Sequence, residues 1–264
     1  MPIWMYEVRP VYAAFILVFV IDIISLGGLV LARRFIQPRL HYHEGINDAV
    51  SGTVQAIGVF YGITVGLIAV GVWNTNSNAS DLVSKEASAI AGIYRDIDGY
   101  PEPIRGQMRG KLREYTVFVI DQAFPAQKTG KLGNVGTGIM DEFQDMLLTF
   151  EPKTSGQSAL HSETLGAYNR LIEYRRLRID AVNGGLSSVM WAVIWVGAAI
   201  SIGIAYFYKI QDFKFHSLLV GLMSSFLAML LFMIIINDKP FYGAVSIPPD
   251  PYKLVLERVI DVSK

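Results

Sequence analysis

No cysteine occurs in the 264 residues. Disulfide frameworks, thiolate nucleophiles, iron–sulfur clusters and Cys-ligated zinc are excluded together, and redox chemistry says nothing about compartment. Charge is scarce as well: 17% of the residues are Asp, Glu, Lys or Arg, against about 25% in ordinary soluble domains. Part of the surface must therefore face something other than water. The charges balance, 23 basic against 23 acidic, which leaves no positive excess for binding nucleic acid. Enzyme signatures are missing too. There is no glycine-rich phosphate loop, no His-Glu-x-x-His and no Gly-x-Ser-x-Gly. His41 and His43 have no partners to complete a metal site, and Gly133-Asn-Val-Gly-Thr-Gly lacks a preceding strand and the spacing of a nucleotide loop. No catalytic residue, metal or cofactor is expected.

What the chain has is apolar length. A helix needs about 20 apolar residues to cross the bilayer core, and four stretches reach that length: Val11 to Ala32, Gly52 to Trp73, Leu186 to Tyr208 and His216 to Ile236. The first is too long for a signal-peptide core, lacks a basic start and runs into Arg33 and Arg34 without a cleavage site. The expected fold is an all-α membrane protein with four transmembrane helices in two pairs. Its parts are a first pair (1–73), a helical extramembrane insert (74–185), a second pair (186–236) and a C-terminal tail (237–264).

An even number of spans puts the termini and the insert on one side. Basic residues near that side are Arg9, Lys85, Arg170, Arg175, Arg176, Arg178 and Lys239; the short links carry Arg33, Arg34, Arg39, Lys209 and Lys214. The excess is too small to orient the chain.

The insert reads as helical. Leu82, Val83, Ala87, Ile90 and Ile93/Tyr94 recur at helical spacing and continue the second span, and Ile104 to Phe124 forms the next amphipathic segment. Pro125 to Thr137 reads as a loop, followed by helices from Gly138 to Phe150 and Ser158 to Asn183 with a break at Gly184-Gly185.

Four groups of residues are candidates for function. Gly58, Gly62 and Gly66 form a stripe on the second span that lets another helix approach closely. The adjoining face carries Gln55, Val59, Ile63, Val70 and Asn74, an apolar lining with polar ends of the kind that gates by wetting. Asn74, with Asn76 and Asn78, either contacts ions or forms a polar cap at the membrane interface. Asp22 lies mid-span, where a carboxylate must be protonated, paired or hydrated; a structural hydrogen bond, a place in a pore vestibule or a proton-coupling role each fit. Arg170, Arg175, Arg176 and Arg178 precede the third span and suit lipid headgroups or an anion-concentrating vestibule. Trp4, Tyr6, Trp73, Trp191, Tyr206 and Tyr208 fall near span ends and fit interfacial belts.

The order of Trp73-Asn74, Glu86-Ala87, Ile93-Tyr94-Arg95, Arg175-Arg-Leu-Arg and Asp238-Lys-Pro-Phe-Tyr-Gly resembles the bacterial bestrophin-like domain family over about residues 11 to 258. That family is distantly similar to the bestrophins, pentameric channels mostly for anions, with a cytosolic insert and termini and an apolar neck on the second span. The resemblance implies a homo-oligomeric, bacterial inner-membrane channel passing small inorganic ions, chloride first among them, in contact with membrane lipids and not with nucleic acid. Two departures stand out. Phe60-Tyr61 and Trp73-Asn74 are spaced differently from the corresponding bestrophin pairs, so no neck residue carries over singly. Pro240-Phe241-Tyr-Gly leads into a stretch whose one carboxylate is Asp250, so calcium gating is not expected. A non-conducting scaffold or sensor that binds a cytosolic partner, a cation channel and a proton-coupled transporter remain open on the residues alone.

Overall fold

The helices start and stop where their residues allow. The computed structural model describes residues 8–40, 44–131 and 136–262. Trp4, Tyr6, His41, His43 and the Gly133–Val135 part of the glycine-rich stretch lie outside the described residues. Helix α1, Pro10–Leu31, opens on a proline whose missing N–H needs no partner there. It runs into a π turn, Ala32–Ile36, and a 3-10 turn, Gln37–Arg39. Helix α2, Ile46–Asp96, carries the second span and continues well past it. Helices α3 (Ile104–Phe118), α4 (Phe124–Lys128), α5 (Thr137–Thr149) and α6 (Ser155–Val182) follow between the second and third spans. The remaining helices are α7 (Ser188–Ala205), α8 (Phe213–Asp238) and a short α9 (Asp250–Val255). Among the described residues there is no strand.

The four spans are in place: four helices are long and apolar enough to cross a membrane. One local expectation fails. Pro125 was expected in a loop, yet it sits in the first turn of α4, where a proline costs no hydrogen bond.

Two compact units divide the chain, residues 1–74 with 185–238 and residues 75–184 with 239–264. The first holds the spans. Neighbours in sequence are not the closest neighbours in space, because the most extensive helix contact in this unit is α1 against α8. Leu17 meets Ile235 there, and Leu29 packs with Ala205 and Val220. Helix α2 leans on α7 and α8 through Val65, Val72, Ile194, Ala198, Leu231 and Ile234. Phe15, Phe19, Leu218, Leu222 and Phe226 stay exposed, which suits a hydrocarbon solvent rather than water.

In the second unit the apolar stripe Ala79, Val83, Ala87, Ile90 and Ile93 of α2 meets Met108, Leu112 and Tyr115 of α3, and Phe143 and Leu147 of α5. The C-terminal tail is not a separate appendage. Phe241, Ile247, Tyr252 and Ile260 are buried in this same core, the Tyr94 hydroxyl donates to the Ile260 carbonyl at 3.2 Å, and Arg113 pairs with Asp261 at 3.1 Å. A helix-capping pair fixes the start of α6: the Thr154 hydroxyl accepts from the Gln157 N–H at 3.1 Å, and the Gln157 side chain accepts from the Lys153 N–H at 2.8 Å.

Candidate functional site

At about 100° per residue, the residues that α2 buries in the span unit form one stripe, Tyr61, Val65, Ile68 and Val72. Gln55, Val59, Ile63, Val70 and Asn74 fall together on another arc, centred roughly 165° away from that stripe, and all are exposed. Gly58, Gly62 and Gly66 border the same arc, and a Cβ added at any of them would meet no atom within 4 Å. Among the described residues, the glycine stripe thus receives no helix of its own chain. The close approaches within the unit fall on other glycines. At Gly197 of α7 an added Cβ would run into the Tyr61 ring, whose hydroxyl donates to the Ile194 carbonyl at 2.9 Å. At Gly28 it would stand 2.6 Å from the Tyr206 hydroxyl, which donates to the Ser25 carbonyl at 2.8 Å.

Asp22 is half-buried on the α1 face that meets α8. The Ser224 hydroxyl donates to its Oδ1 at 2.5 Å and the Ser225 hydroxyl to its Oδ2 at 2.7 Å. A carboxylate at mid-span costs about 2.5–3.5 kcal/mol. Two hydrogen bonds to a charged group contribute about 1.5–3 kcal/mol each, enough to offset that. Of the expected roles for Asp22, the structural hydrogen bond is present.

The aromatic residues at span ends divide. Trp73 is exposed, as an interfacial belt requires. Tyr206 and Tyr208 instead turn their hydroxyls inward, to the Ser25 carbonyl and to Ser51 Oγ at 3.1 Å. At that end the α7–α8 turn is held from both sides. Arg33 donates to the carbonyls of Ile210 and Gln211, Gln37 donates to that of Tyr206, and Asn47 both donates to and accepts from the Lys209 backbone.

The arginine cluster must be divided as well. Arg178 is 2% exposed and Glu86 is fully buried; the guanidinium donates to the carboxylate from Nε at 2.7 Å and from Nη2 at 3.3 Å. Burial opposes the guanidinium charge, but Glu86, with Tyr252 and Tyr115 beside it, outweighs this and holds Arg178 protonated well above the usual arginine range. Arg175 is also buried and donates to Thr137 Oγ1 at 3.1 Å. Neither side chain can serve a vestibule or a headgroup, because each is enclosed by the core of the second unit. Arg170 and Arg176 stay exposed, Arg170 paired with Glu163 at 3.0 Å.

The Tyr115 hydroxyl donates to Glu86 Oε1 at 2.7 Å, and burial together with that carboxylate pushes its pKa well up. Sequence reading missed this buried cluster. Its trace was present: Glu86 stands one turn from Val83 and Ile90 on an apolar face, where an acid needs a partner. Among the described residues no group of three or more His, Asp or Glu side chains could hold a metal ion.

The sequence matches the family model described as Bestrophin-like domain over residues 19–252. The chain belongs to the bestrophin-like family. That span takes in Asp22, the whole exposed arc of α2, the Glu86–Arg178 pair and Tyr252. No curated protein matches. Solved structures do. A point mutant of a bacterial bestrophin homologue from Klebsiella pneumoniae superposes with a TM-score of 0.68 at 8% identity, covering 95% of this chain and 98% of that one. A second mutant from the same organism gives 0.66 at 9% identity, covering 94% and 98%. A structure described as a membrane protein, also a point mutant, gives 0.67 at 8%, covering 94% and 97%. At such identities the bestrophin-like likeness is one of fold, and it spans nearly the full length of both chains.

Proposed function

We propose that this bestrophin-like protein is the subunit of a homo-oligomeric ion channel, with the exposed arc of α2 from each copy turned to a common axis. Gln55, Val59, Ile63, Val70 and Asn74 then line the path, and small anions such as chloride pass down their gradient. The observation that carries the reading is the bare arc itself. A stripe of glycines that no helix among the described residues touches exposes backbone as well as apolar side chains, and in a membrane such a surface calls for close packing by another copy. An apolar lining with an amide at each end suits passage controlled by wetting. Fivefold assembly, location in a bacterial inner membrane and a cytosolic insert and termini come with the family resemblance.

The lining holds no charge, so the preference for anions comes from kinship and not from this arc. Arg170 and Arg176, exposed on α6, are left to attract anions or lipid headgroups. The test is reconstitution of purified protein in liposomes. Chloride flux above that of empty vesicles is the expected result; no flux under any gradient or pH overturns the channel, and flux of cations alone overturns the anion assignment.

A further inference from the structure

We propose that Asp22 is a proton-binding site inside the membrane-spanning unit, in which Ser224 and Ser225 let the proton come and go without leaving a polar atom unbonded. The proposal does not depend on conduction. Asp22 is the sole Asp, Glu, Lys or Arg between Arg9 and Arg33 on the first span; none occurs between Asp48 and Asp81 on α2, within α7, or between Lys214 and Asp238 on α8. A lone ionisable group at that depth has no counter-ion, and its hydroxyl partners must serve whichever protonation state it takes.

The geometry serves both. Ser224 Oγ has two acceptors in reach, Asp22 Oδ1 at 2.5 Å and the Gly221 carbonyl at 3.1 Å. With Asp22 charged, Ser224 and Ser225 each donate to one carboxylate oxygen. When a proton from water binds Oδ1, one O–H bond forms and the net charge of the site rises from −1 to 0. The new O–H donates to Ser224 Oγ, the Ser224 hydrogen rotates to the Gly221 carbonyl, and Ser225 goes on donating to Oδ2. Every donor keeps an acceptor in both states, which is the condition for reversible protonation in a medium that penalises orphaned polar groups. A single serine could anchor the charged form; the second acceptor at Ser224 is what the neutral form needs.

Few other charges reach the site. On α1 the nearest titratable group is Tyr12, ten residues before and about 15 Å along the helix, and Arg33 stands eleven residues on, past the end of α1. On α8 the nearest titratable group is His216, about 12 Å from Ser224 by the same measure, and Asp238 stands farther off at the opposite end of that helix. Helix α7 offers none, but Tyr206 just past its end donates its hydroxyl to the Ser25 carbonyl at 2.8 Å, three residues along α1 from Asp22, and Tyr61 of α2 gives its hydroxyl to the Ile194 carbonyl.

The test is a pH titration of the full-length protein in lipid bilayers followed by difference infrared spectroscopy. A carboxylic-acid carbonyl band that grows on acidification and is missing from Asp22→Asn is expected. Ser225→Ala removes the donor to Oδ2, the carbonyl oxygen of the acid, and should shift the band in frequency. Ser224→Ala keeps the acid but removes the acceptor of its O–H, so the band should shift in frequency; this variant serves if Asp22→Asn fails to assemble. No acid band that depends on Asp22 or responds to Ser224→Ala, or a band unchanged at every pH, overturns the proposal. Flux in the same vesicles is a separate readout. Conduction without the band removes the proton site alone, and the band without conduction removes the channel alone.

Discussion

Glu86 and Arg178, separated by 92 residues, close a fully buried ion pair in the second unit, with Nε and Oε2 2.7 Å apart. The pair links α2 to α6, and the Tyr115 hydroxyl adds α3 to the same carboxylate. Isolated buried ion pairs contribute little net stability, but removing one partner leaves a charge with no answer. Arg178→Ala or Glu86→Ala should therefore destabilise the protein by about 3–5 kcal/mol, a fall in melting temperature on the order of 10 °C. The double change Glu86→Leu with Arg178→Met should lose much less. Thermal unfolding in detergent checks this, and equal losses from the single and double changes would contradict it.

A second prediction concerns the contact between α2 and α7. Any side chain at Gly197 meets the Tyr61 ring, and overpacking of this kind costs about 1–3 kcal/mol. Gly197→Ala should lower stability and Tyr61→Leu should restore part of it, whereas Gly62→Ala, at a position with open space around its Cβ in one chain, should leave the monomer fold unchanged. An oligomer that dissociates in Gly62→Ala while the monomer stays folded would place a second copy against that stripe.

Much of this arrangement was legible in the sequence and some was not. The spans were, since an apolar run of that length with at most one charge suits little besides a bilayer, and the helices between the second and third spans were, since Val83, Ala87 and Ile90 repeat at helical spacing. The pairing of faces was not. Asp22 has its partners 202 and 203 residues away, and nothing local in Ser224-Ser225 announces a carboxylate. The tail was legible only in part. Phe241 and Ile247 follow no helical or strand period, whereas Tyr252, Val255, Leu256, Val259 and Ile260 recur at helical spacing, and all pack in the core of the second unit. Tyr206 and Tyr208 were placed at span ends by position, but the direction of their hydroxyls depends on the carbonyl and hydroxyl that helix packing presents.

A pH prediction follows from Asp96 at the end of α2. Burial, and then the neighbouring Glu163, raise its carboxyl above the ordinary value of 3.8, against a smaller lowering by Arg170. The folded state thus holds this proton to higher pH than the unfolded chain does, so stability falls as pH rises from the ordinary value through the raised one and stays lower above it. Asp96→Asn removes the effect. Its melting temperature should exceed that of the wild type near neutral pH, and the advantage should vanish as the pH approaches 3.8. An advantage that grows on acidification would reverse the assignment.

The proposed lining gives the most direct prediction. Val59 and Ile63 are 59% exposed in the single chain, and Phe60, between them in sequence, is 73% exposed. Exposure alone therefore does not separate a residue facing an axis from one facing lipid. The proposed arc does, because Phe60 stands about 100° from Val59 and on the far side of Ile63 from the glycine stripe. If water must enter an apolar constriction before ions pass, replacing its side chains by small polar ones lowers the barrier, and each 1.4 kcal/mol or so removed raises the rate about tenfold. Val59→Ser and Ile63→Ser should raise chloride flux in liposomes by roughly an order of magnitude, while Phe60→Ser should leave it near the wild-type rate. Ile63→Asp sets a carboxylate in the path of each subunit and should suppress anion flux while admitting cations. Equal responses from Phe60→Ser and Ile63→Ser would move the path off this arc, since a lipid-facing position and a lining position cannot both control the same constriction.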